Sequence, residues 1–272
     1  MIYINDLREM DNSESSIGVI RKWYDEKNHL YIKASSLDKK RRVYHIESVM
    51  ECIAYEVGKL FGIEVVPYWM DKLHISDDEI IDVCVSKDYK AASNFQSSVS
   101  ARTLLLKKTP VMTNRSEIYN HLTSFSNEVK VGIDKLILFD YLIDNYDRHM
   151  RNIEFMRIGE KIVLSPIFDS GSSLLSDYPY DEDLEFLKED EDTFEEVMTF
   201  AQTQSKSFSH EHSMEIRLVG KEAYHEVNRD IKNEEFKEIV EKYSTYISPL
   251  RKEMIITLLI NRFSNIIKWS KK

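Results

Sequence analysis

Asp147-Arg148-His149-Met150-Arg151-Asn152 and, a short hairpin later, Pro166-Ile167-Phe168-Asp169-Ser170-Gly171 decide how this chain is read. They supply an acid, an amide five positions on, and a second acid just ahead of a glycine. That is the minimal set for holding a nucleotide's magnesium ion and orienting a hydroxyl for phosphoryl transfer. Such transfer asks for positioning, charge neutralisation and a group beside the acceptor hydroxyl, and for little covalent chemistry. Asp147 is the candidate for that group. Asn152 offers an amide oxygen and Asp169 a carboxylate oxygen, the hard ligands magnesium prefers.

Between these two ligands, Ile153-Glu154-Phe155-Met156 and Lys161-Ile162-Val163-Leu164 flank Ile158-Gly159-Glu160 as a hairpin. Its strands run out and back, so its ends, and with them the two ligands, are expected to meet. Gly171 is expected to let the backbone turn sharply after the second ligand.

Upstream, Ile17-Gly18-Val19-Ile20 and His29-Leu30-Tyr31-Ile32-Lys33-Ala34 flank the polar turn Asp25 to Asn28 and read as a hairpin. Val49, Ile53, Val57 and Leu60 recur at helical spacing, which predicts a helix over 47–61 ended by Gly62. Ile63 to Val66 and Ile80 to Val85 read as strands. Lys33 can neutralise nucleotide phosphates, and Glu51 on the helix can pair with it, although Glu47 and Glu56 compete. Val83-Cys84-Val85-Ser86 then reads as an inter-lobe strand, with Val83 and Val85 offering backbone groups to adenine.

Helical patterns follow over 116–129, 132–144 and 249–269, the last with Pro249 at its start, where a missing N–H costs nothing. The fold class is α+β with two lobes: residues 1–86 as a small sheet with one helix, and 87–272 as a larger, mainly helical lobe. The cleft between lobes is the natural ligand site.

Bulk composition narrows the classes. The chain has 272 residues, 42% of them hydrophobic, and a formal net charge of −10. That charge opposes a generic nucleic-acid surface, and it means that specific cations must cancel phosphate charge locally. Cys52 and Cys84 are the only cysteines, too few for a disulfide framework or a four-cysteine zinc site. The first residues lack a signal peptide's basic and apolar regions, and the longest apolar run, Ile255 to Ile260, cannot span a bilayer. A cytoplasmic, reducing setting without membrane association is the expectation, with translocation as an effector left open.

The segments Asn145-Tyr146-Asp147-Arg148-His149-Met150-Arg151-Asn152 and Pro166 to Gly171, with the strand lysine Lys33 and the dipeptide Lys87-Asp88 after the hinge, resemble the HipA-like bacterial serine/threonine kinases. The likeness is to a short stand-alone, translocated-kinase-like form, and spans about residues 15–175. It implies a protein-kinase-like fold, ATP and magnesium as cofactors, and transfer to Ser or Thr of a protein, the chain itself included. Carried over by position, it makes Asp147 the catalytic acid, Asn152 and Asp169 the metal ligands and Lys33 the phosphate lysine, with Glu51 its partner. A regulatory or antitoxin protein is an implied partner. The sequence departs from the wider kinase pattern in three ways: no G-x-G-x-x-G, with Gly18 standing alone; a histidine after the catalytic acid; and Asp-Ser-Gly without a phenylalanine in the metal loop.

Other features have plainer readings. His149 is expected to brace its loop by hydrogen bonds, and Arg148 to pair with a carboxylate or be solvated. His210-Glu211-His212 reads as surface, Lys39-Lys40-Arg41-Arg42 as a solvated basic loop, and Asp177 to Glu196 as a charged face able to attract a basic peptide. Ser13, Ser15 and Ser16 are candidate autophosphorylation sites by position. Two other functions compete: a phosphoinositide-type lipid kinase, which shares the D-R-H-x-x-N loop but would want a basic membrane-facing helix, and a nucleotide-binding pseudokinase acting as an interaction module.

Overall fold

The computed structural model describes residues 2–10, 20–91, 96–107, 114–199 and 205–271. The serines Ser13, Ser15 and Ser16, together with Ile17, Gly18 and Val19, lie outside them. The chain opens with β1 (Ile2–Tyr3), a 3-10 turn (Ile4–Asp6), β2 (Arg8–Glu9), β3 (Lys22–Asp25), β4 (Leu30–Ala34), β5 (Leu37–Asp38), β6 (Val43–Tyr44) and α1 (Glu47–Phe61). Then come β7 (Tyr68–His74), β8 (Ile80–Lys87), β9 (Ser97–Ser100), α2 (Ala101–Leu106), α3 (Arg115–Thr123) and α4 (Asn127–Ile143). The remainder is β10 (Glu154–Ile158), β11 (Lys161–Leu164), α5 (Asp181–Glu189), α6 (Glu191–Thr199), α7 (His212–Glu215), α8 (Lys221–Glu226), α9 (Asn233–Glu241) and α10 (Pro249–Trp269).

A six-stranded sheet runs β1-β7-β8-β4-β3-β2. Its two edges, β1 and β2, are joined by the four residues from Ile4 to Leu7. Laid flat, strands at the ends of six would stand about 24 Å apart. The five steps from Tyr3 to Arg8 reach about 18 Å at most, and a 3-10 turn shortens them. The sheet therefore curls, and Ile2, Ile4 and Leu7 close its inner face over a small core of Trp23, Ile32, Ala34, Leu73, Ile81, Val83 and Val85. On the opposite face lies α1, whose buried side belongs to a second, larger core shared with α4 and α10.

Each main helix has local reasons for its ends. α1 stops at Gly62, left-handed with φ 81°, whose N–H returns to the Gly58 and Lys59 carbonyls. α4 begins where the Ser126 hydroxyl accepts from the Val129 N–H, and α10 where Ser248 accepts from the Arg251 N–H ahead of Pro249 at the first turn. α4 is the axis of the larger core: Ile133, Leu138, Phe139, Tyr141, Leu142 and Ile143 are sealed from solvent. Full burial of such a side chain contributes roughly 1.5–3 kcal/mol.

The structure corrects several boundaries. The hairpin around Asp25 is built from β3 and β4, registered as Lys22↔Lys33 to Asp25↔Leu30, so its first strand starts beyond Ile20. Residues 63–66 form no strand; they make one parallel bridge, Val65↔Ile167, and the strand beside β8 is β7. The single helix expected over 116–129 is broken, because Ser126 caps a new one. α10 and α1 occupy their expected spans, and β10–β11 form the expected hairpin, extended by β9. Cys52 and Cys84 are buried free thiols. Among the described residues no helix is long and apolar enough to cross a membrane.

Candidate active site

Alternation along β4 decides where Lys33 goes. Ile32 and Ala34 enter the small core, so Lys33 leaves the other face, toward α1. Its ammonium bonds the carboxylates of Glu51 on α1 and Asp169 on the 166–171 loop at once. Glu51, fully buried, also accepts the Ser170 N–H at 2.7 Å. Strand, helix and loop thus meet on one ion cluster. Glu47 and Glu56 are occupied elsewhere, by Ser36 and Lys242 respectively.

The cluster is electrostatically committed. Burial alone would lower the Lys33 pKa, but Asp169 and then Glu51 raise it well above the ordinary lysine value. Burial would raise Asp169, but Lys33, then Lys22 and Arg148, hold its carboxyl far below the usual range. Lys22 sits directly across the strand pair from Lys33.

Asp169 itself has φ 58°, a left-handed conformation that Asp tolerates better than most residues. The sharp turn expected of Gly171 therefore falls two residues earlier. Gly171 is required for another reason: a Cβ there would stand 2.9 Å from the Glu47 carbonyl oxygen and 3.2 Å from Glu51 Cγ.

The 145–152 segment is held from beneath. Arg148, with 0% exposure, forms a buried ion pair with Asp140 of α4 at 2.9 Å. It also donates to the Phe168 carbonyl and to Ser170 Oγ, the latter at 2.9 Å. One guanidinium thereby ties the catalytic-loop candidate to the metal-loop candidate. Asn145 donates to Asp140 at 3.0 Å and accepts the Asp147 N–H at 3.1 Å. The Asp147 carboxylate accepts from Lys206. The Asn152 backbone closes a turn onto the His149 carbonyl at 2.8 Å, and the residue is 9% exposed.

Lys33, Glu51 and Asp169 are therefore brought into contact, and Arg148 joins their loop to that of Asp147. Among the described residues no hydrogen bond links Asn152 to Asp169. Val83 and Val85 are not brought to the cluster. Their side chains are sealed in the small core, and β8 is paired on both sides, Val85 with Ile32 and Trp69, Val83 with Ala34 and Asp71. Their backbone groups are consumed by the ladder, so neither can serve adenine.

Two histidine expectations also change. His149 Nδ1 has no hydrogen-bond partner among the described residues, so Arg148 and Asn145 brace the loop in its place. His212 is no surface residue: it is fully buried, 3.9 Å from Asp144 and 4.0 Å from Glu215. The 39–42 loop is largely exposed, with Arg41 stacked 3.8 Å over the Tyr180 ring.

Sequence reading missed Arg148's role as a tie, Asp140 and Lys206. Asp140 carried a signal, since a carboxylate inside the apolar run Leu136 to Ile143 needs a buried partner. Lys206 carried none, standing 59 residues from Asp147.

The donor set suits magnesium. Among the described residues no group of three or more His, Cys, Asp and Glu side chains could hold a metal by itself. Magnesium sites built on a nucleotide need only one or two protein oxygens, with water and phosphates completing the shell. The carboxylate of Asp169 and the carboxamide of Asn152 are oxygen donors of that kind.

The sequence matches no protein-family model and no curated protein. The fold is similar to the crystal structure of the Helicobacter pylori proinflammatory kinase CtkA, with a TM-score of 0.69 and 17% identity over 99% of this chain and 96% of that one. It is also similar, with a TM-score of 0.49 and 13% identity over 95% of this chain and 68% of that one, to HipA of Shewanella oneidensis MR-1, solved as a toxin–antitoxin complex with HipB and operator DNA. The first likeness establishes the α+β kinase-like fold.

Proposed function

We propose that this chain is a HipA-like protein kinase that uses ATP and magnesium to phosphorylate Ser or Thr hydroxyls, its own among them. The single observation that carries the reading is the shared contact of Lys33 with Glu51 and Asp169. A strand lysine held by a helix glutamate against a loop aspartate is an arrangement for gripping phosphates beside a metal. Within this reading, residues 1–86 are the phosphate-binding lobe and 87–272 the lobe with both loops. The two buried free thiols are at home in a reducing compartment.

The roles follow from placement. Lys33, fixed by Glu51, neutralises nucleotide phosphates, and Asp169 and Asn152 hold the metal, which when bound withdraws charge from the phosphates. Arg148 keeps the two loops in register. The Asp147 carboxylate orients the acceptor hydroxyl and takes its proton. Adenine would be served by backbone beyond Lys87, where the β8 ladder ends.

The test is incubation of the purified chain with labelled ATP and magnesium, followed by mass spectrometry of the chain and of a cell lysate, with phosphoinositide vesicles in parallel. Asp147→Asn and Asp169→Asn should each abolish transfer, the former with nucleotide-dependent thermal stabilisation retained. Transfer that survives both substitutions sinks the reading. Label appearing only in lipid would make the chain a lipid kinase, and stabilisation by ATP without any transfer would make it a pseudokinase.

A further inference from the structure

Asp147 does not stand alone in its half of the site. Lys206 Nζ lies on its Oδ1, from a turn 59 residues downstream, with 37% of the lysine and 29% of the aspartate side chain exposed. An ordinary surface pair of this kind contributes at most about 1 kcal/mol, and a free lysine would sample many rotamers instead of one.

The turn around Lys206 is built as a rigid mount. The Ser205 N–H donates to the His210 carbonyl at 2.9 Å, and Arg115 donates to the Ser205 carbonyl at 3.1 Å and also to that of Ser209. The fully buried Glu215 accepts from Ser207 Oγ at 2.7 Å, the Phe208 N–H at 2.5 Å and the Ser209 N–H at 2.8 Å. Phe208, between them, is buried edge-on against Tyr119. A carboxylate buried to receive three donors from one short turn fixes that turn's backbone, and the one long side chain it presents to the site is Lys206.

We infer that Lys206 is a working part of the transfer site: it holds Asp147 Oδ1, leaving Oδ2 as the oxygen that receives the acceptor proton, and it presents a cation where the transferring phosphoryl group gathers charge. The inference rests on the kinase reading above. In the step it serves, the acceptor oxygen forms a bond to the γ-phosphorus. The bond from that phosphorus to the β–γ bridging oxygen breaks, ADP leaves with that oxygen, and the hydroxyl proton passes to Asp147 Oδ2. A fixed cation is worth most at such a point, because its gain is realised in the transition state and needs no reorganisation.

The experiment uses the full chain with labelled Mg-ATP, comparing wild type, Lys206→Ala and Lys206→Arg for kcat, KM for ATP, nucleotide-dependent thermal shift and Tm. Lys206→Ala should lower kcat on the order of 100-fold while KM for ATP, the thermal shift and Tm stay at wild-type values. Lys206→Arg, which restores the charge, should recover most of the rate. A Lys206→Ala protein with wild-type or higher kcat overturns the inference and leaves the kinase reading standing. A fall in Tm that parallels kcat overturns it in favour of a structural role. A change confined to KM and the thermal shift overturns it in favour of ground-state nucleotide binding. A wild-type chain that transfers nothing overturns both.

Discussion

His212 is enclosed by Asp144, Glu215, Arg262 and the ring of Tyr141. Burial first, and the Arg262 charge second, pull its pKa down to about 3. The unfolded chain takes up the proton near pH 6.5, so the folded state carries its full stability above that pH and loses it as pH falls toward 3. The slope is up to about 1.4 kcal/mol per pH unit. Asp169, whose carboxyl is depressed, adds its own loss only below about pH 4. Burial raises the Asp177 carboxyl to about 7, which works the opposite way over the same range. Urea midpoints of wild type and His212→Gln should therefore be compared from pH 7.5 down to 4.5, and the variant should lack one proton's worth of downward slope. An unchanged slope in the variant would remove His212 as its source. This residue was unreadable in sequence, since His-Glu-His says nothing of which side faces inward. The pairing of Lys33 with Glu51 was legible because strand position and helical spacing each constrain one partner. Arg148 was only half legible: a pairing was foreseen, but not that its partner lies in α4 or that it spans two loops.

At the scale of elements, α1 and the 166–171 loop approach closely at Gly171. Gly171→Ala would drive a methyl to 2.9 Å from the Glu47 carbonyl oxygen, a backbone atom that cannot swing away. Destabilisation of about 1–3 kcal/mol is expected. The displaced loop should also weaken the Glu51–Ser170 bond, so transfer falls further than stability alone explains. Denaturant titration alongside the transfer assay checks this, and a variant with wild-type values in both would show the contact to be slack. α1 and α10 were readable to the residue because a capping glycine or proline sits at one end and the apolar spacing never breaks. The break between α3 and α4 was not, since Ser124-Phe125-Ser126 interrupts an amphipathic pattern without changing it. β7 was missed because Tyr68 to His74 mixes charged and apolar residues on both faces, and its strand character comes from its neighbours β1 and β8.

At the scale of the molecule, the net charge of −10 is offset where it matters by Lys22, Lys33, Arg148 and Lys206, drawn together from three distant parts of the chain. The α+β class and the order of sheet before helices were legible from periodicity. The curl of the sheet was not, because it follows from joining both of its edges with so few residues. Deleting residues 2–9 should lower the urea midpoint and shift tryptophan emission to the red as Trp23, fully buried, meets water. An unaltered spectrum and midpoint would mean that the segment is dispensable. The same strap sets a timetable during synthesis. Arg8 and Glu9 find their partners as soon as Trp23 and Tyr24 exist, whereas Ile2 and Tyr3 wait for Leu73 and His74. At about 5–20 residues per second, that is a delay of several seconds in which a nascent segment, already moored on one rim, must be kept from other strands.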